Sequence, residues 1–186
     1  MRKHVRAGGA WAVITVALAG CGMHHHGAGH GPGAGTGPRA QATLNPTQGQ
    51  TAQGLVMFHA RGDGVFMHAR VSGLKPNQEH GFHIHEKGDC SSPDGMSTGG
   101  HFNPDGKPHG PQDAEHHAGD LPALKADAQG VAELRVGLRG LGIGQGAADI
   151  VGRGLIVHAQ PDDYRTQPTG NSGARIACAV ITRVGP

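Results

Sequence analysis

This chain of 186 residues is poor in large aromatic side chains, with one Trp, one Tyr and four Phe against 34 Gly. No segment combines a helical apolar period with a helix start signal, which argues against a helical bundle. The longest apolar run, residues 10–19, is too short to cross a bilayer, because a spanning helix needs about 20 such residues. A Lys/Arg run is also missing, so a nucleic-acid partner has no electrostatic footprint in the sequence. Cysteine is scarce: Cys21, Cys90 and Cys178.

What the N-terminus does have is a basic start (Arg2, Lys3, Arg6) followed by that short apolar run. Such a pair reads as an export signal rather than a membrane span. It ends Leu18-Ala19-Gly20-Cys21, which resembles the lipobox of bacterial lipoproteins, whose cysteine becomes the lipid-modified first residue of the mature protein. The resemblance implies a lipoprotein-type signal peptide over residues 1–20, membrane attachment through Cys21, and a place in the periplasm or cell envelope. Removal of residues 1–20 takes away three basic and no acidic residues, moving the formal charge from +2 to −1. If Cys21 carries lipid, Cys90 and Cys178 are left, and an oxidising compartment would join them. Residues 21–40 form a His/Gly-rich stretch whose composition predicts a flexible tether. Its His24, His25, His26 and His30 could scavenge copper or zinc.

From residue 41 to 186 the pattern predicts a single all-β domain. Short candidate strands (42–46, 52–60, 65–71, 80–86, 121–126, 131–136, 150–158 and 175–183) alternate with Gly, Pro, Asn and Asp turns. Eight such strands with small core residues imply a Greek-key β-barrel or sandwich, immunoglobulin-like in architecture. Two long loops, residues 87–120 and 159–174, break the rhythm, and loops of that length are usually functional or disordered.

Within the Gly81-Phe82-His83-Ile84-His85 run, side chains two apart on a strand share a face, so His83 and His85 project together and His80 faces away. The first long loop adds His101, His109, His116, His117 and Asp120. Three imidazoles and a carboxylate make a closed four-coordinate set suited to structural Zn²⁺, with His116 and His117 both open as the third imidazole. His59 and His68 lack a partner motif and read as ordinary surface or satisfied histidines.

Five runs in order resemble the copper–zinc superoxide dismutases. They are Gly81-Phe82-His83-Ile84-His85-Glu86, Gly100-His101-Phe102-Asn103-Pro104, His117-Ala118-Gly119-Asp120-Leu121, Val157-His158, and the stretch from Gly170 to Cys178. The export signal and the stretch from Asp163 to Gly170 are similar to the periplasmic bacterial branch. The resemblance implies one copper per subunit on His83, His85, His101 and His158, and one zinc on His101, His109, His117 and Asp120, with His101 bridging the two. It implies that Asp162, with Asp163 as the neighbouring alternative, links His83 to His109. It further implies a Cys90–Cys178 disulfide, a structural role for His80, and a catalytic Arg175 that guides superoxide to copper. The implied activity is dismutation of superoxide to dioxygen and hydrogen peroxide by a redox-cycling copper, with no nucleic-acid partner, in a monomer or a homodimer. Lys107 and Arg165 are candidate steering cations. Two rivals belong to other classes: a protein that buffers copper and zinc without turnover, and a silent β-sandwich binding module.

Overall fold

The computed structural model describes residues 37–185. The signal segment, Cys21 and the tether histidines lie outside the described residues. Three long strands open the fold: β1 (Arg39–Pro46), β2 (Gln53–Arg61) and β3 (Gly64–Ser72). They are followed by β4 (Glu79–His80), β5 (Phe82–His85), β6 (Leu124–Lys125) and β7 (Ala132–Arg139). The last are β8 (Gly154–His158), β9 (Arg175–Val180) and β10 (Thr182–Val184). Among the described residues the one helical element is a 3₁₀ turn at Met96–Thr98.

Eight strands form one sheet in the order β5-β8-β9-β1-β2-β3-β7, with β10 also on β1, while β4 and β6 pair apart. The path from β3 to its neighbour β7 skips three strands, and β5 pairs with the distant β8, as a Greek key requires. β1 joins the two halves: residues 39–44 pair with β2 and residues 45–46 with β9. Alternation then fills the interior. Ala42, Leu44, Val56, Phe58, Met67 and Val71 point inward from one half, and Phe82, Ile84, Leu155, Val157 and Ala179 from the other.

The predicted strands differ from these elements at five points, three of them with a local cause. The strand predicted over 80–86 divides at Gly81, whose N–H turns to the Gln160 carbonyl and where a Cβ would strike the Ser172 side chain. The one over 150–158 starts only at Gly154, because Gly152 sits at φ +77°. The one over 175–183 breaks at Ile181, which exchanges hydrogen bonds with Gly152 and Arg153 instead. Over 121–126 only Leu124 and Lys125 pair. β1 also begins at Arg39, within the stretch assigned to the tether.

Candidate metal centre

β5 is buried on both faces. Phe82 and Ile84 enter the core, so strand parity sends His83 and His85 to the opposite face, beneath the loop of residues 87–120. That loop docks its middle and its C-terminal end on the free edge of β5. Isolated antiparallel bridges join His83 to Asp120 and His85 to His101. The Phe102 N–H donates to the Ile84 carbonyl at 2.8 Å, and the Ile84 N–H to the Gly119 carbonyl at 2.8 Å. The approach requires glycine at 119, since a Cβ there would run into the Ile84 and Phe102 backbone.

Two groups of donors result, with His101 in both. In one, a nitrogen from each of His83, His85, His101 and His158 lies within 4.8 Å of the others. In the other, His101, His109, His117 and Asp120 do the same, and every member of both groups is buried. Separations in the second group are 2.8 Å from His101 Nδ1 to Asp120 Oδ1, 3.0 Å from His109 Nδ1 to Asp120 Oδ2, 3.2 Å from His117 Nδ1 to Asp120 Oδ1, and 3.4 Å from His117 Nδ1 to His101 Nδ1. Arms of about 2.0–2.1 Å to a tetrahedral ion imply donor separations of about 3.3–3.4 Å, close to these values. In the first group His83 Nδ1, His85 Nε2, His101 Nε2 and His158 Nε2 are all buried without a hydrogen-bond partner. Four imidazole nitrogens gathered and unsatisfied in one place carry a large desolvation cost, which a shared cation removes. Both donor sets therefore fit the metals they are expected to hold.

The outer nitrogens are fixed, and this sets which nitrogen is left for an ion. His85 Nδ1 donates to the Gly99 carbonyl at 2.9 Å and His158 Nδ1 to the Gly173 carbonyl at 3.2 Å. His83 Nε2 and His109 Nε2 reach the two oxygens of one buried carboxylate, Asp162, at 2.6 and 2.9 Å. Asp162 thus ties one histidine of each group to the other. Gly170, at φ +63°, lies directly against this contact, and a Cβ there would overlap the Asp162 carboxylate. Asp163 is exposed and closes its own turn by accepting from the Arg165 N–H and from the N–H and hydroxyl of Thr166.

The charge states of the two groups differ. Burial drives His83 down to about 4 against the pull of Asp162, and burial also holds His85 and His158 well below the ordinary value. Burial works against charge on His109 too, but the carboxylates of Asp120 and Asp162 outweigh it and hold that ring up at about 9. Burial lowers His117. Asp120 and Asp162 stay far below the usual carboxylate range; burial opposes their ionisation, and their histidine hydrogen bonds prevail.

Arg175 pairs with His158 across β8 and β9, and its half-buried guanidinium is aimed by three acceptors. Nη1 donates to the Gly95 carbonyl at 2.9 Å and to Thr98 Oγ1 at 2.7 Å, and Nη2 to the Gly99 carbonyl at 2.7 Å. A disulfide joins Cys90 to Cys178 across 88 positions, holding the segment that presents those acceptors. The remaining histidines fall outside both groups. His80 is buried and donates through Nδ1 to the His158 carbonyl at 2.8 Å, and His116 donates to the His117 carbonyl at 2.6 Å. His68 meets Glu133 at 3.0 Å on the far sheet. Lys107 and Arg165 are both exposed, Lys107 beside Asp105 at 3.8 Å.

One contributor has no counterpart in the sequence reading. The Gln167 side chain brackets the backbone of His109, accepting from its N–H at 2.8 Å and donating to its carbonyl at 2.8 Å. No local motif signals such an amide-to-backbone clamp across 58 positions. The carbonyls of Gly99 and Gly173 were equally invisible, because a backbone acceptor has no side-chain signature.

Comparison with known proteins points to one family. Residues 52–181 match the family described as copper/zinc superoxide dismutase (SODC). The chain is 39% identical over 148 residues to "Superoxide dismutase [Cu-Zn] 2" of Aquifex aeolicus, covering 77% of this chain and 86% of that protein. It is 42% identical over 148 residues to "Superoxide dismutase [Cu-Zn] 2" of Brassica juncea, covering 75% and 94%. The crystal structure of a SOD-like protein from Bacillus subtilis superposes with a TM-score of 0.68 at 37% identity, over 75% of this chain and 96% of that one. From the matched span, these identities and the shared β-barrel, it follows that the chain belongs to the copper/zinc superoxide dismutases, a family of enzymes that use copper and zinc and act on superoxide.

Proposed function

We propose that this enzyme dismutates superoxide at His83, His85, His101 and His158 as the copper set, with His101, His109, His117 and Asp120 as the zinc set and His101 as the bridge. The observation that carries the reading is the four unpartnered, buried imidazole nitrogens, one of which belongs to a ring whose other nitrogen faces the carboxylate group. When bound, copper supplies one-electron redox chemistry and zinc an inert dication. The chain's own residues do the rest. His101 Nε2 is the buried nitrogen that can hold and release a proton on the copper side, since Nδ1 is committed to the other group. Asp162 orients His83 and His109, and Gln167 steadies the backbone of His109. Arg175, with its guanidinium aimed by three acceptors, draws a small anion toward His158 and hydrogen-bonds it. The net reaction consumes two superoxide ions and two protons and yields dioxygen and hydrogen peroxide.

An export signal and a lipobox-like Cys21 support work in the cell envelope, anchored to a membrane and guarding the envelope against superoxide from outside. The disulfide is consistent with an oxidising compartment. The domain organisation that goes with this is a signal peptide over 1–20, a tether that starts at 21, and an enzyme domain whose expected start at 41 moves to Arg39 with β1 and which runs to 186, acting as a monomer or a homodimer. The deciding experiment loads the purified protein with both metals, counts them, and follows xanthine-oxidase-generated superoxide by cytochrome c reduction. One copper and one zinc per chain with rapid superoxide loss is the expected result. Full metal content with superoxide decaying at its spontaneous rate would replace this reading with metal buffering.

A further inference from the structure

We infer that the outer face of β1, β2, β3 and β7 is a docking surface for an anionic lipid bilayer. Strand alternation puts Arg39, Arg61, Arg70, Arg135 and Arg139 on this face, all exposed, because their neighbours Ala40, Ala60, Ala69, Leu134 and Leu138 turn toward the core. The register aligns them across strands. Arg61 and Arg139 both lie beside Gly64, and Arg70 lies between Leu55 and Glu133. Glu133 is the one carboxylate among these strands, occupied by Arg135 at 2.7 Å and His68 at 3.0 Å. Among the described residues Arg39, Arg61, Arg70 and Arg139 make no ion pair.

The charge is segregated. Five arginines against one glutamate give this face +4, while the other described residues hold eight basic and thirteen acidic groups, or −5. A protein close to neutral overall thus presents one strongly cationic plane. Apolar side chains stand between the arginines: Leu55, 47% exposed and opposite Arg70, then half-buried Met57 two positions along β2, and half-buried Phe66 opposite His59. Guanidinium groups interspersed with apolar side chains match a layer of lipid phosphates over acyl chains, since arginine pairs with phosphate through two parallel hydrogen bonds. The position of the chain start favours a membrane over a nucleic acid. Arg39 stands only eighteen positions after Cys21 and opens β1 on this same sheet, so a chain anchored at Cys21 keeps this face close to the bilayer. Docking there would leave the metal groups, carried by β5, β8 and their loops, on the other half of the barrel and open to diffusing superoxide.

The choice of surface rests on the proposed Cys21 anchor, but the test is independent of it. The full, metal-loaded chain carrying Cys21→Ser, which cannot be acylated, is mixed with phosphatidylglycerol-containing vesicles and with pure phosphatidylcholine vesicles, and sedimentation gives the bound fraction. Preference for the anionic vesicles is expected, disappearing near 1 M salt, where the screening length falls to about 3 Å. Adding Arg61→Gln, Arg70→Gln and Arg139→Gln should weaken that binding about 100-fold, roughly fivefold per arginine, with melting temperature and dismutase turnover unchanged. Equal binding to both vesicle types, unaltered binding by the triple variant, or tighter binding to duplex DNA than to anionic vesicles at the same salt would overturn the inference. Acylation itself is read separately, from the mass of the protein extracted from membranes, so an unmodified Cys21 would not be mistaken for a failed docking surface.

Discussion

The two donor groups share one ring but are built in different ways. Three of the four imidazoles in the first stand on strands, His83 and His85 on β5 and His158 on β8, and take their places from the pleat. All four donors of the second come from the loop of residues 87–120, and that loop needs holding from outside: Asp162 and Gln167 from the second loop, and the β5 edge beneath. In the first group burial keeps His83, His85 and His158 uncharged, whereas the second contains a carboxylate and a histidine that retains its proton. A strand can pre-form a neutral site that waits for a redox ion. A loop needs charge and cross-bracing to gather its ligands, so an ion held there would also organise the structure.

If His101 is what makes the groups one centre, His101→Ala should have the largest effect. Turnover is expected to fall about 100-fold or more, the scale of losing a positioned proton donor. The remaining three strand imidazoles would still bind copper, measured by metal content and by the copper(II) spectrum. Full activity in this variant would mean that the two groups work independently.

Asp162 tests the cross-bracing. It touches His83 in one group and His109 in the other, so Asp162→Asn should weaken binding of both metals, each by roughly 10–100-fold. Chelator competition with copper and zinc measured separately checks this. A loss confined to zinc would show that the strand group holds itself without help from the second loop.

Arg175→Ala should leave both metals bound and reduce turnover about tenfold, the low end of what electrostatic steering contributes. The discriminating reading is ionic strength: native activity should decline with salt, and the variant's much less. Loss of copper from the variant would instead give Arg175 a structural part, through the Gly95–Gly99 segment it binds.

The sequence carried the strand group almost entirely, because a period of two fixes where His83 and His85 point whatever surrounds them. It also carried the ligand types of the loop group but left His116 and His117 equivalent. Spacing alone did not separate them; the family resemblance favoured His117, and the fold supplies the physical reason by turning the His117 ring inward while His116 caps the His117 carbonyl. Pairing of β5 with β8 and the clamp from Gln167 join residues far apart in the chain, for which no local pattern exists. The arginine face was hidden for a related reason. Its five cations are scattered over four strands at alternate positions, so no run of basic residues forms, and they become one surface only when the strands align.

The smallest expected effect separates the groups by their protons. In metal-free protein His83 titrates near 4 against an ordinary 6.5, with His85 and His158 shifted the same way, so between those values the unfolded chain binds more protons. Their contribution to stability is complete above about 6.5 and lost as pH falls toward 4. His109 runs the other way: held at about 9, it stabilises the fold below 6.5 and that gain is lost as pH rises through 9. The melting temperature of metal-free protein should therefore be highest near pH 6.5 and fall by a few degrees on each side. Zinc should abolish the alkaline slope by taking the place of the His109 proton, and its binding at pH 7.5 should release about one proton into a weakly buffered indicator solution. Copper entering the strand group finds His83, His85 and His158 already neutral and should release none from them. More protons released by copper than by zinc would reverse the assignment of charge between the two groups.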